Sequence, residues 1–212
     1  MNKKKLWILG DSYGAAHPEF SYTYTERLHE DYDVKILADS GTSVDWSFTK
    51  LLYTINEEPD TQDVSVVFFL TDITRQYWDF FEDRDHWIAR HLAEGSWNRL
   101  PDSKKNTYKK YQNFAQTFFA NVYPRYYEIN DKKNISFLNM YAQRFEKIII
   151  FPCFEPIDTE FQLEKNVTVW NTPMVEQWGH GTDFADPRPN HMPESGHDEM
   201  YNRIVDWMEQ RV

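Results

Sequence analysis

The first apolar run of the chain, Leu6-Trp7-Ile8-Leu9, stops at Gly10-Asp11-Ser12. A histidine, His191, stands just ahead of the last helical pattern, in Asn190-His191-Met192-Pro193-Glu194-Ser195-Gly196-His197. A serine hydroxyl where a strand turns over, with an imidazole to take its proton, makes a nucleophile and a general base. The chemistry of such a pair is transfer of an acyl group to serine, followed by hydrolysis. Gly10 lets the backbone turn tightly at that point; the plainer alternative is that Ser12 caps the next helix. The block after the second apolar run, Ala38-Asp39-Ser40-Gly41-Thr42-Ser43, carries a glycine. Its bare N–H either faces a developing oxyanion or serves an ordinary strand-to-helix turn.

Five short apolar, β-branched runs must position these residues: Lys5–Leu9, Val34–Ala38, Val64–Leu70, Lys147–Phe151 and Val167–Trp170. Continuous runs of this kind predict strands buried on both faces. Between them, Tyr108, Tyr111, Phe114, Ala115, Phe118, Phe119 and Val122 recur at three- and four-residue spacing, which predicts one long amphipathic helix. Met200, Ile204, Val205 and Met208 predict a second near the end. Strands alternating with helices imply βαβ units and a parallel sheet covered on both sides, an α/β fold. The whole chain, 1–212, reads as a single domain with an aromatic-rich insertion at about 75–106. That insertion carries Tyr77, Trp78, Phe80, Phe81, Trp87 and Trp97 and follows the third strand directly. It is either a substrate wall over the carboxyl edge of the sheet, where α/β proteins bind ligands, or a helical insertion packed on the core.

Bulk properties narrow the classes. With 212 residues, 41% hydrophobic and 17% aromatic, the chain can build its own core. The formal charge of −11, from 23 basic and 34 acidic residues, argues against a nucleic-acid partner, which needs a basic face. One cysteine, Cys153, leaves no internal disulfide and no cysteine-rich zinc site. Its setting at a strand end suits core packing, with a functional thiol as the alternative. Met1-Asn2-Lys3-Lys4-Lys5 imitates the basic start of a signal peptide, but the apolar stretch after it is too short, and no segment is long enough to span a membrane. The expectation is a cytoplasmic protein with no membrane partner; the oligomeric state is left open.

The third strand ends in Phe68-Phe69-Leu70-Thr71-Asp72-Ile73, and this block joins the Ser12, Gly41 and His191 blocks in order. Together the four blocks resemble the SGNH, or GDSL-type, hydrolase family, and the resemblance covers most of the chain. The Arg188-Pro189-Asn190-His191 wording is similar to bacteriophage members of that family. The resemblance implies a three-layer α/β/α, flavodoxin-like five-stranded parallel sheet in strand order 2-1-3-4-5. It further implies an esterase or carbohydrate O-deacetylase acting on a small-molecule or saccharide ester, with no cofactor. By position, Ser12 matches the nucleophile, Gly41 an oxyanion donor and His191 the base.

Two positions depart from the family pattern. Asp72 stands where the oxyanion hole normally has an asparagine, and an ionised carboxylate only accepts hydrogen bonds. It serves only if burial keeps it protonated, or if a neighbour such as Thr71 donates instead. The acid that orients the base normally lies three residues before the histidine, where this chain has Arg188; Asp186, with Asp183 in reserve, is the candidate. Arg75 and Arg188 flank two of the blocks. Either they hold an anionic substrate group by paired donors, or they neutralise Asp72 and Asp186. His180, Asp183, Asp186, His191, His197 and Asp198 invite a metal reading, but their spacing matches no metal motif, and no metal is expected. His17 reads as a helix-start residue. The competing function is a catalytically impaired module that binds a saccharide or protein partner in the same cleft.

Overall fold

The computed structural model describes residues 3–15, 23–72, 75–76, 92–95, 102–157, 162–178 and 192–210. Their strands are β1 (Lys5–Leu9), β2 (Asp33–Ile36), β3 (Val64–Leu70), β4 (Lys147–Pro152) and β5 (Val167–Val169). They form one sheet in the order β2-β1-β3-β4-β5, and every pairing is parallel. The expected fold class is thus met: a five-stranded parallel sheet of flavodoxin-like order with helices on both sides. The strands β1 and β3 have the bounds that their apolar runs predict, and the other three shift at their ends by one or two residues.

The described helices are α1 (Tyr24–Asp31), α2 (Val44–Glu57), α3 (Asp102–Lys109), α4 (Gln112–Thr117), α5 (Tyr123–Tyr141), α6 (Met174–Trp178) and α7 (Glu194–Glu209). Alternation along the strands sorts them into two layers. Leu6, Ile8, Val67, Phe69, Ile149 and Phe151 share a core with Leu28 of α1 and with Met200, Ile204 and Met208 of α7. Trp7, Leu9, Val66, Phe68, Ile148 and Ile150 share the other with Phe48, Leu51 and Ile55 of α2 and with Ile135 and Leu138 of α5. The inner strands β3 and β4 are buried along their whole length, as strands covered on both faces must be.

One expected element is corrected. The single helix predicted over Tyr108–Val122 is three pieces: α3 ends at Lys109, α4 begins at Gln112, and Phe118–Val122 is a π-helical turn that leads into α5. Of its apolar stripe, Tyr108 and Ala115 are buried while Phe114 and Val122 are exposed. The extra residue per turn in π geometry rotates the stripe off one face. The helix that packs on the sheet is the more polar α5, whose periodic pattern is weaker.

Lys147 opens β4 and is buried, and it ties the sheet to the end of α7. Its Nζ donates to the carbonyls of Trp207 (2.7 Å), Met208 (3.0 Å) and Gln210 (2.8 Å). A cation on the last carbonyls of a helix complements the negative end of its dipole. Burial pushes the ammonium pKa down, against the pull of nearby Glu146.

Candidate active site

Each candidate residue described sits on a loop leaving the carboxyl end of a strand. Ser12 follows β1, Gly41 follows β2, and Asp72 and Arg75 follow β3. In the order β2-β1-β3 these are neighbouring strands. The chain leaves β1 in one direction for β2 and returns past it to β3, so the crevice between β1 and β3 is the switch point where such sheets take ligands.

The turn after β1 needs its glycine. Gly10 has φ +128°, and a Cβ there would lie 2.5 Å from Phe69 Cβ and 2.6 Å from Phe69 O. Only a residue without a side chain lets β1 and β3 come this close just before the serine. Residues 11–15 then curl, with Gly14 N and Ala15 N both donating to Asp11 O at 3.0 Å. Ser12 is largely buried in this curl. It does not cap the next helix: Thr23 caps α1, accepting from Glu26 N while the Glu26 side chain accepts from Thr23 N. Gly41 has φ +76°, again a conformation that favours glycine, and Ser43 caps α2 by accepting from Trp46 N.

Asp11 knits the three loops together. Its carboxylate has no exposure, and each oxygen is supplied with donors. Oδ2 accepts from Thr71 Oγ1 at 2.6 Å and from Arg75 Nη1 at 2.8 Å; Oδ1 accepts from Tyr13 N at 3.1 Å. A fully buried charge is tolerable only when paired and hydrogen-bonded in this way. The same Nη1 lies 3.4 Å from Thr42 O, and Thr42 Oγ1 lies 2.8 Å from Asp39 O and 3.3 Å from Gly10 O. Loops one, two and three are therefore tied through the immediate neighbours of Ser12 and Gly41. The expected partner of Arg75 is corrected: the guanidinium pairs with Asp11, not with Asp72. Thr71 is likewise removed as a side-chain oxyanion donor, because its single hydroxyl hydrogen goes to Asp11. Asp72 is half-buried on the same edge.

Cys153, just past β4, is fully buried with its Sγ 3.9 Å from Asp11 Oδ1. Burial, and then the Asp11 charge, push its thiol pKa well up, so it stays neutral packing material and not a nucleophile. Phe154 lies beside it, half-buried; the Arg75 guanidinium stands 5.2 Å from the centre of its ring, and Tyr13 meets it edge-on. Burial also pushes the phenol pKa values of Tyr13 and Tyr24 up.

His191, Asp186, Arg188, Asp183, His180 and His17 lie outside the described residues, as does most of the aromatic insertion. Described residues flank the segment bearing His191. Trp178 and Met192 are buried in the core cluster that also holds Tyr13. Gly196 fits closely between Trp178 and Met192, since a Cβ there would lie 3.1 Å from Met192 Cβ and 3.3 Å from Trp178 Cδ1. In α7, His197 stacks on Tyr24, whose hydroxyl donates to Tyr13 O at 2.6 Å. The start of α7 thus packs against residues that support the Ser12 turn.

Among the described residues no cluster of His, Cys, Asp or Glu is placed to hold a metal ion, and no helix is long and apolar enough to cross a membrane. A cavity of about 500 Å³ lies at the opposite, amino edge of the sheet. Lys3, Lys4, Tyr32, Tyr201 and Glu209 line it, and neither Ser12 nor Gly41 reaches it.

Strand order, parallel pairing and helices on both faces define a doubly wound α/β protein with its candidate site at the switch point. No family model, curated protein or solved structure matches the chain.

Proposed function

We propose that the chain is an SGNH-type serine hydrolase that cleaves a small acyl ester, as an esterase or carbohydrate O-deacetylase. The observation that supports this best is the joining of the Ser12 and Gly41 loops at the switch point through Asp11, Thr42 and Arg75. In this reading Ser12 Oγ attacks the ester carbonyl while His191 takes its proton. The carbonyl electron pair moves onto oxygen, where the N–H groups of Ser12 and Gly41 stabilise it. The intermediate collapses, the C–O bond to the alcohol breaks, and His191 returns the proton to the departing alkoxide. Water, activated by the same imidazole, then releases the acid from Ser12. Asp186 orients the imidazole. The anchoring of Met192 in the same core as Tyr13 supports His191 as the base.

A second reading has one observation in its favour. Asp72 puts a carboxylate where a donor would help, which suits an altered module that binds a saccharide or protein without turnover. Intact-mass measurement after exposure to p-nitrophenyl acetate separates the two. The hydrolase reading expects a transient acetyl adduct on the peptide holding Ser12, absent in Ser12→Ala. An unmodified wild type that releases no p-nitrophenol leaves the binding reading.

A further inference from the structure

We propose that Arg75 is a side-chain oxyanion donor of this site, acting on a neutral ester. The inference rests on the serine hydrolase reading and extends it. An oxyanion receives two backbone N–H groups in that reading, from Ser12 and Gly41. The two side chains at the end of β3 do not add a third: the Thr71 hydroxyl hydrogen is engaged with Asp11, and Asp72 bears a carboxyl group. Arg75 comes next on the same edge. Its Nη1 hydrogens go to Asp11 Oδ2 and Thr42 O, the residues adjoining Ser12 and Gly41. The guanidinium head is thereby wedged between the neighbours of both backbone donors. Its Nε hydrogen and the pair on Nη2 have no acceptor among the described residues, although the side chain is only 14% exposed.

These hydrogens keep access to solvent, so they are open to an incoming acceptor such as a substrate oxygen. The planar fork makes the arrangement specific: Nη1 is fixed by Asp11 and Thr42, which leaves the hydrogens of Nη2 for another acceptor. Phe154 against the guanidinium restricts its rotation. Because Asp11 already balances its charge, Arg75 offers directed hydrogen bonds more than net positive charge. That suits a substrate that is neutral when it binds and gains negative charge on oxygen only as the Ser12 Oγ–C bond forms. Such an interaction strengthens toward the transition state and raises turnover without tightening substrate binding.

The test uses the full chain in two measurements. Arg75→Lys keeps a cation beside Asp11 but loses the second arm of the fork. With p-nitrophenyl acetate, the expected result is kcat lowered about 100- to 1000-fold, with KM little changed and phosphonylation by a fluorophosphonate slowed in parallel. A Lys variant that turns over like wild type overturns the inference and leaves the hydrolase reading standing. The second measurement needs no variant and decides if Arg75→Lys does not fold. In wild type, the guanidinium N–H resonances of Arg75 are followed by NMR before and after phosphonylation of Ser12, whose adduct carries a tetrahedral phosphoryl oxygen. A downfield shift with slowed exchange is expected; unmoved resonances overturn the inference, since an arginine that only braces the fold has no reason to sense the adduct. Wild type that neither hydrolyses the ester nor takes up the fluorophosphonate overturns both this inference and the reading beneath it.

Discussion

Arg75 reaches back across the carboxyl edge of the sheet to Asp11, placing Nη1 2.8 Å from a carboxylate oxygen of a residue with no exposure. Removing one member of a buried pair leaves an uncompensated charge, at a cost of about 3–5 kcal/mol. Arg75→Ala strands the carboxylate and should lower unfolding free energy by that amount in denaturant titration. Thr71→Val, which removes only the hydroxyl on Oδ2, should cost about 1.5–3 kcal/mol. The two effects should be non-additive, since both groups serve one oxygen. Additive, sub-kilocalorie effects would mean that Asp11 is not the hub of the three loops.

Gly10 and Gly95 both have positive φ, +128° and +69°, but their surroundings differ. A Cβ on Gly10 would strike Phe69, whereas among the described residues one on Gly95 would meet nothing closer than Gln112 Nε2 at 3.9 Å. Gly10→Ala should therefore cost at least about 2 kcal/mol through strain and overlap together. Gly95→Ala should cost about 1 kcal/mol, from backbone conformation alone. Thermal melts of the two variants check the ranking; equal shifts would contradict the close approach of β1 and β3.

Asn134 in α5 is fully buried, and neither end of its amide finds a hydrogen-bond partner among the described residues. An unsatisfied buried amide destabilises by about 1–3 kcal/mol on mutational scales. Asn134→Leu, which keeps the branched heavy-atom skeleton and removes both polar ends, should raise the melting temperature. A lowered melting temperature would show that the amide is satisfied in solution by a bound water or another polar group.

Alkaline pH should unfold the protein through its buried tyrosines. Burial raises the phenol pKa of Tyr13 and Tyr24, and burial together with Glu209 pushes that of Tyr32 up to about 12. The folded chain holds protons that the unfolded chain releases near pH ~10. The stability that these phenols contribute is thus complete below about pH 10 and is lost as pH rises toward the folded values. Tyrosinate absorbance recorded alongside circular dichroism checks this. The last tyrosinate signal should appear together with loss of helix. Full ionisation near pH ~10 with the fold intact would contradict it.

Much of the frame was legible in the sequence because β1, β3 and β4 are predominantly apolar runs flanked by polar residues. The positions of Ser12 and Gly41 followed from those runs, since a strand end fixes where its loop begins. What joins them was not legible. Asp11 and Arg75 are 64 residues apart, and no local pattern tells an arginine that pairs with its nearest aspartate from one that reaches a neighbouring loop. Thr71 likewise reads as a spare donor until its hydroxyl is seen on Asp11. The helical stripe from Tyr108 to Val122 misled because a π turn at Phe118–Val122 breaks the 3.6-residue period on which the pattern depends. The core-facing α5 went unnoticed because its inner face mixes Asn134 with Ile135 and Leu138.

The central claim is an activated serine at position 12, and a fluorophosphonate probe tests it most directly. Wild type, Ser12→Ala and His191→Ala would be labelled side by side, with circular dichroism confirming the fold of each. Wild type is expected to be labelled on Ser12, Ser12→Ala not at all, and His191→Ala only at background rate. A folded wild type that takes up no probe, or one labelled equally well without Ser12, would contradict the claim.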